Sequence, residues 1–162
     1  MHGTINSEII NTYGTKLIDI VYNWKEYTLY NVDYIAYVNN NILSIVIKST
    51  IKEGNNPQRV TIQTYNYNLE NDKQVSLEEM LELKGLKKAD IQSKIVTQMR
   101  EKNVNAEAMA NQGYNVYVRD IRSEEYLIEN ITTYFLGEEG HLYIVFAYGN
   151  TNYTETMDVI IL

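Results

Sequence analysis

The chain has 162 residues, a length that suits one domain with a real hydrophobic core. It contains no cysteine, which excludes disulfide bonds, thiol catalysis and zinc sites with thiolate ligands. The net charge of −7 at pH 7 disfavours nucleic acid and anionic lipid as partners and suits a basic one.

The first predicted element is a long helix over residues 5–27. Gly14 lies inside it and costs about 1 kcal/mol relative to alanine, which favours a bend or close packing at that point. Trp24 and Tyr27 fit a core role better than a ligand platform at this spacing. The apolar positions that recur at helical spacing are Ile5, Ile9, Tyr13, Leu17, Ile20, Val21 and Trp24.

Residues 28–67 are predicted to form three antiparallel strands with at least one face open to water. Apolar and polar residues alternate over Leu43–Ile51 and again over Val60–Tyr67. Asn39-Asn40-Asn41 is a turn, because asparagine tolerates positive φ. The loop Glu53–Pro57 contains the only proline and separates the second and third strands.

The middle of the chain changes to a helical period. Ser76-Leu-Glu-Glu79 is a capping box that predicts a short helix through Leu83, ended by Gly85. Asp90 is predicted to cap a second helix, and a further short helical turn ends at Gly113. Ile91, Ile95 and Met99 form the apolar stripe of the second helix, and Lys94, Arg100 and Lys102 lie on its outer face.

The last third is organised around a predicted hairpin over Ile131–Phe146, where two runs rich in β-branched and aromatic residues flank a turn with Gly137 and Gly140. Both faces of its second arm are largely apolar, so we expect that arm to be central in a sheet and covered on both sides. Tyr114–Arg119 and Thr156–Leu162 are predicted strands.

Two segments of the last third are not strands by pattern alone. Residues 123–129 are compatible with either a helix start or a strand. Residues 147–153 form a polar, tyrosine-bearing loop. Taken together, the pattern predicts a single α+β domain over residues 1–162: a long N-terminal helix and a short helical segment packed on a mainly antiparallel sheet. Its parts are 1–67 (helix and meander), 68–113 (helical segment) and 114–162 (strands and hairpin).

Catalytic chemistry is poorly represented. The only histidines are His2 and His141, and neither has the neighbours of a zinc motif. No serine-nucleophile, P-loop or dinucleotide motif occurs. Carboxylates at helix starts and in the hairpin turn fit capping and solvated charge better than a glycosidase pair. We therefore expect no metal, no cofactor and no enzymatic activity, and no apolar run is long enough to span a membrane.

A partner surface is predicted on two loops. The loop after the hairpin offers Tyr148 and Tyr153 as anchors, with Asn150 and Asn152 for adaptable hydrogen bonds. The loop Glu53–Pro57 is the second candidate, where Glu53 and Asn55 would meet a basic partner. The alternative is that the tyrosines fold back onto the sheet.

Several segments together resemble a known family. They are Ile5-Asn6, Asn41-Ile-Leu-Ser-Ile45, Tyr65-Asn-Tyr67, Val75-Ser-Leu-Glu-Glu-Met80, and Tyr134-Phe135 followed by Gly140-His-Leu-Tyr-Ile-Val-Phe146. Their order resembles the paired domains of unknown function in the ectodomain of RsiV-type, lysozyme-sensing anti-sigma factors. The same pair occurs in the non-catalytic N-terminal part of the peptidoglycan deacetylase PdaC.

The resemblance implies a non-catalytic sensor or binding domain at the bacterial cell surface, outside the cytoplasm, that takes part in signal transduction by binding a basic protein such as lysozyme. No signal peptide is visible in the chain, so this location follows from the resemblance alone. The alternatives are an accessory module that binds peptidoglycan of the cell wall, and a carbohydrate-active hydrolase.

Overall fold

The computed structural model describes residues 3–23, 28–148 and 156–162, and has the predicted α+β architecture. Within these ranges the strands form two antiparallel sheets. The first has the order β1-β2-β3-β4, with β1 at Thr28–Asn39, β2 at Ile42–Glu53, β3 at Arg59–Asn68 and β4 at Lys73–Gln74. The second has the order β5-β6-β7, at Tyr134–Leu136, Leu142–Ala147 and Met157–Ile161.

The N-terminal helical region consists of three consecutive segments. Helix α1 covers Gly3–Ile9, a π-helical turn covers Ile10–Gly14, and α2 covers Thr15–Tyr22. No residue of the π turn or of α2 is buried, so the expected apolar stripe does not form a dry contact with the sheet. The prediction of one long helix over residues 5–27 is therefore wrong: α2 ends at Tyr22, and Asn23 has left the helical conformation. Trp24 and Tyr27 lie outside the described residues.

The predicted three-stranded meander is confirmed. Asn40 and Asn41 both adopt positive φ in the turn between β1 and β2, as the asparagine signal required. The register runs from Thr28 opposite Glu53 to Asn39 opposite Ile42, without interruption.

The middle helices follow the sequence pattern with two corrections. The capping box on Ser76 is formed, and α3 runs over Leu77–Leu83. Helix α4, at Lys88–Asn111, begins at the N-cap Lys87, so Asp90 is a first-turn acid and not the cap. The helix also continues unbroken through the region predicted as a separate short turn, and Asn103 and Ala106 lie on its buried side.

The strand predicted over Tyr114–Arg119 is wrong, since this segment has no regular secondary structure. Its alternating pattern suits a strand, but the backbone N–H of Arg119 donates to the Asn103 side chain and not to a neighbouring strand. Ser123 caps a 3₁₀ turn at Glu124–Tyr126, which settles the ambiguous segment as helical.

The hairpin around residues 137–140 is confirmed, and β6 is the central strand of the second sheet. Leu142 and Ile144 are fully buried, and Phe146 is nearly so. On the opposite face Val145 is buried but His141 is exposed, so cover on that side is partial.

One hydrophobic core joins the second sheet to α3 and α4. Ile42 is the one buried member of this core that comes from the first three strands. All the other members lie at or after Val75. They are Val75, Leu77, Met80, Leu81, Ile91, Ile95, Met99, Tyr126, Ile131, Leu136, Leu142, Ile144, Phe146 and Ile160.

A hydrogen-bonded seam connects the two sheets. The Ser44 hydroxyl donates to Asn66 Oδ1 at 2.7 Å and accepts from the Leu136 N–H at 3.1 Å. Asn66 Nδ2 donates to the Tyr134 carbonyl at 2.8 Å. The first sheet is therefore held to β5 by side chains that satisfy β5 backbone groups, as buried polar atoms require. Within the described residues, no helix is both long and apolar enough to cross a membrane.

Candidate functional site

A buried carboxylate cluster lies where β7, α4 and the segment after it meet. Asp158, on β7, has a side chain only 3% exposed. Arg119 donates to it from Nε at 2.5 Å and from Nη2 at 3.0 Å, and Lys102 Nζ donates at 2.7 Å. The Tyr148 hydroxyl donates to Asp158 Oδ2 at 2.7 Å. The Arg119 guanidinium with two donors, the Lys102 ammonium and the Tyr148 phenol therefore compensate the buried charge of the Asp158 carboxylate.

The hydrogen bonds decide the protonation of this cluster. Burial alone would raise the pKa of the Asp158 carboxyl, but the hydrogen bonds from Arg119, Lys102 and Tyr148 outweigh it and hold that pKa below its usual value. Burial raises the pKa of the Tyr148 phenol, and its hydrogen bond to the Asp158 carboxylate raises it further. The aspartate is therefore ionised and the phenol neutral throughout the physiological range.

Tyrosine rings complete the cluster. The Tyr117 and Tyr148 ring centroids are 4.2 Å apart, and the Arg119 guanidinium carbon lies 5.8 Å from each centroid, a distance at which cation–π attraction is favourable. The Tyr126 and Tyr148 hydroxyl oxygens are 2.9 Å apart. Since the Tyr148 proton is directed to Asp158, Tyr126 is the donor in that pair.

This arrangement suits positioning better than catalysis. Both Asp158 oxygens are occupied by cationic donors, and the one phenol within reach is held neutral. A general base or nucleophile needs a free lone pair directed at a substrate. The cluster instead connects β7, α4 and the residues around Tyr117, Tyr126 and Tyr148 through hydrogen bonds and ring contacts.

An acidic segment, residues 120–129, is attached to this cluster through Tyr126. Its four carboxylates are Asp120, Glu124, Glu125 and Glu129, all exposed, and its one cation is Arg122. Among the residues the structure describes, none of the four carboxylates makes a salt bridge. The segment therefore presents unneutralised negative charge to solvent.

The acidic segment is held by specific hydrogen bonds. Gln92 of α4 donates from Nε2 to the Tyr126 carbonyl and accepts from the Ile128 N–H, at 3.0 and 2.8 Å. Asn130 Nδ2 donates to the Glu124 carbonyl at 2.8 Å. Tyr126 itself is 2% exposed and anchors the 3₁₀ turn in the core. The carboxylates are thus carried on fixed backbone, which lowers the entropy lost when a partner binds.

The predicted partner residues are not brought together by any described contact. Tyr148 is half-buried with its hydroxyl on Asp158, which is the folded-back alternative that the sequence left open. Glu53 ends β2 and pairs with Arg59 at 2.9 Å, while Asn55 is exposed in the following turn. Asn150, Asn152 and Tyr153 lie outside the described residues.

A separate cleft of about 310 Å³ lies between the N-terminal helices and the first sheet. Its lining is rich in hydroxyl groups and includes two cations, Lys16 and Arg59. The Tyr13 hydroxyl donates to Gln63 Oε1 across the cleft, and burial raises the pKa of Tyr13. The other lining residues are Thr12, Tyr30, Ser49, Ile51 and Thr61.

No group of three or more histidine or carboxylate side chains suited to a metal ion occurs in the described residues. His141 lies 3.8 Å from Glu139 and near the Leu162 carbonyl, at 3.4 Å, in an exposed position. This pair alone does not supply the ligands that a zinc site requires.

The sequence interpretation missed the cluster around Asp158. The sequence predicts a strand over Thr156–Leu162, and in β7 Asp158 shares its face with Ile160, which is fully buried. A lone carboxylate on the core-facing parity of a strand indicates a buried ion pair. The sequence pattern places Lys102 on the outer face of α4, although its ammonium reaches Asp158.

Compared with known proteins, the sequence matches no protein-family model and no curated protein.

Proposed function

We propose that this chain is a non-catalytic binding domain that acts outside the cytoplasm and recognises a basic protein, in the manner of the lysozyme-binding ectodomain of RsiV-type anti-sigma factors. The observation that carries the proposal is the seam between the two sheets. Ser44, Asn66 and Tyr134 belong to three separate segments of the resemblance, and they meet in one hydrogen-bonded unit.

The remaining segments of the resemblance also have structural roles. Ser76 and Glu79 form the capping box of α3, and Leu142, Ile144 and Phe146 are the inner face of the central strand β6. Residues that are far apart in sequence and cooperate in one fold are less easily matched by chance than isolated apolar letters. This supports a resemblance of the whole domain.

The acidic segment supports a basic partner. Its four exposed carboxylates are free of salt bridges within the described residues and sit on hydrogen-bonded turns. Complementary charge raises association rates and selects partners, and a preformed surface limits the entropy cost of binding. Lysozymes of the common kind are basic, so the charges are complementary.

Titration calorimetry of the full chain against a basic lysozyme tests the proposal. We expect measurable binding at low salt that weakens as salt is raised, because exposed charges are screened. The triple variant Glu124→Gln, Glu125→Gln, Glu129→Gln should weaken binding at least about tenfold if the acidic segment contacts the partner, which corresponds to about 1.4 kcal/mol.

The matched control is Asp19→Asn, Glu82→Gln, Glu101→Gln, which makes the same change in net charge at exposed positions elsewhere. If both triple variants weaken binding equally, only net charge matters and the acidic segment is not the contact. If the parent chain does not bind lysozyme even at low salt, the proposal fails. Tyr148→Ala is a poor reporter, because removing that side chain also disturbs the Asp158 cluster.

Absence of catalysis is part of the proposal and is tested separately. Release of acetate and of reducing sugar from peptidoglycan is measured with the parent chain and with each acidic-segment variant. We expect no turnover. Turnover abolished by one carboxylate substitution would contradict the proposal and favour the hydrolase alternative.

The second candidate, a cell-wall binding module, is favoured by the cleft between the N-terminal helices and the first sheet. Hydroxyls, tyrosine rings and the two cations Lys16 and Arg59 suit a hydroxylated ligand that carries a carboxylate. Co-sedimentation with purified peptidoglycan separates the candidates: retention of the parent that Lys16→Ala abolishes favours the module. Retention that Lys16→Ala leaves unchanged assigns peptidoglycan to another surface.

A further inference from the structure

Strand β1 is an unusually long and open sheet edge. It has 12 residues, and in the described part of the chain only β2 pairs with it. Every second residue of an edge strand turns its N–H and C=O away from the sheet, where they can pair with another strand. Over Asn31–Asn39 such a row is about 30 Å long, and it is a template for a partner strand.

The usual protections of an edge are missing from β1. It contains no proline, lysine or arginine, its register with β2 has no bulge, and Asp33 is its only charge. Several of its apolar side chains are largely exposed, including Tyr34 at 77% and Val38 at 64%. On the opposite side of the same sheet, β4 pairs only with Tyr67 and Asn68, so the rest of β3 is also an edge. That edge begins with Arg59, a charge of the kind that protects an edge strand.

The sequence of β1 is compatible with itself in one particular register. In an antiparallel pair, the side chains of directly opposed residues lie on the same face of the sheet. When a two-fold axis relates the two strands, one residue must therefore lie directly opposite its own copy, and the axis passes between these two copies. With the axis at Asp33, the two Asp33 carboxylates lie directly opposite each other. With the axis at Tyr34, they are diagonal neighbours, about 7–8 Å apart. An axis at Ile35 separates the two Asp33 residues by four positions, about 13 Å.

The Ile35 register also gives favourable pairs. Ile35 opposes its own copy, Val32 opposes Val38, and Tyr34 opposes Ala36. Apolar and aromatic cross-strand pairs of this kind stabilise antiparallel sheets. The overlap extends from Asn31 to Asn39, and an axis closer to Asn39 shortens it.

We propose that β1 is a self-association surface: it pairs with β1 of a second copy of this chain, antiparallel and with the two-fold axis at Ile35. The four-stranded sheet then continues across the axis into the sheet of the second copy. This pairing satisfies the open backbone groups and covers Val32, Tyr34 and Val38. It does not depend on the identity of the basic partner.

Cysteine cross-linking tests the register, because the chain has no cysteine of its own. Directly opposed Cα atoms in an antiparallel pair lie about 4.5–5.5 Å apart, within the range of a disulfide. Under mild oxidation Ile35→Cys should form a covalent dimer. Val32→Cys and Val38→Cys should each stay monomeric alone, because like positions are then about 20 Å apart, but a mixture of the two should give the mixed disulfide.

Sedimentation velocity of the parent chain tests the association itself. We expect a monomer–dimer equilibrium that Ile35→Lys shifts to monomer, since it places two ammonium groups at the axis. Circular dichroism and the urea midpoint check that each variant keeps its fold. A parent that sediments as a monomer up to several hundred micromolar overturns the proposal. Cross-linking of Ile35→Cys no faster than of Val32→Cys would overturn the register and with it the proposed interface.

Discussion

The two halves of the molecule use apolar residues differently. All but one of the buried residues of the main core lie at or after Val75. The described N-terminal helices and the first three strands contribute only Ile42. Ile47, Val60 and Tyr67 are buried in the first sheet but stand outside that cluster. Apolar content therefore does not predict where a core forms. The first half depends on the seam to the second half for its position and offers most of its surface to solvent.

The largest difference in stability between the two halves should come from a substitution in the central strand β6. Ile144 is fully buried in the core, so Ile144→Ala removes three methyl or methylene groups from a packed site and should lower the free energy of unfolding by about 2–5 kcal/mol. The matched change in the first sheet is Leu29→Ala, at a side chain 53% exposed, which should cost less than about 1 kcal/mol. Urea denaturation measures both. Equal midpoints would show that the halves are not energetically distinct.

The Asp158 cluster should give the next largest effect. Asp158→Asn removes the charge that compensates Arg119, whose side chain is only 10% exposed, and Lys102. Breaking a buried pair from one side costs about 3–5 kcal/mol. We expect about 2–4 here, because Lys102 is partly exposed and asparagine keeps some hydrogen bonds. Arg119→Met, Asp158→Leu, which removes both partners, should be less destabilising than Asp158→Asn.

The same cluster predicts a pH dependence. The pKa of Asp158 is lower in the folded than in the unfolded chain, so its contribution is present above the unfolded pKa of about 3.9 and is lost as the pH falls below it. Urea midpoints of the parent should therefore fall between about pH 5 and pH 2. In Asp158→Asn that part of the decline should be missing. An unchanged pH profile would show that the carboxylate is not stabilised by the fold.

The seam should have an intermediate effect. Ser44→Ala leaves the buried Leu136 N–H and Asn66 Oδ1 without a partner, which should cost about 1–3 kcal/mol. Ser49→Ala is the control, because it also removes a strand serine hydroxyl, but one that bonds with Thr61 within the first sheet. Amide exchange sharpens the test: Ser44→Ala should accelerate exchange in β2 and β3 more than in β6.

Local pattern predicted the elements that depend on local chemistry. The asparagine turn at Asn40, the capping box at Ser76 and the hairpin at Gly140 each contain their own determinants within a few residues. The segment before Arg119 was predicted incorrectly because alternation alone does not supply a neighbouring strand. Its conformation depends on Asn103, which is 16 residues away.

The candidate site was less predictable than the fold. Asp158, Arg119 and Lys102 come from three segments whose contact depends on how α4 lies against the second sheet. The negative charges of the acidic segment are visible in the sequence. Their fixed placement is not, because it rests on Gln92 reaching from α4 to the turn at Tyr126.

The smallest loss of stability should come from removing the N-cap of α3. The distance over which this loss spreads tests how cooperative the second half is. Ser76→Ala removes the hydroxyl that accepts from the Glu79 N–H at 3.2 Å, and losing a serine cap costs about 0.5–2 kcal/mol. Because Met80 and Leu81 of the same helix are core residues, amide exchange should rise in β6 as well as in α3. The control is Ser93→Ala, at an exposed position inside α4, where alanine is the better helix former and should be neutral or slightly stabilising. A loss of protection confined to α3 would mean that this helix opens independently, and that the second half is less cooperative than its shared core implies.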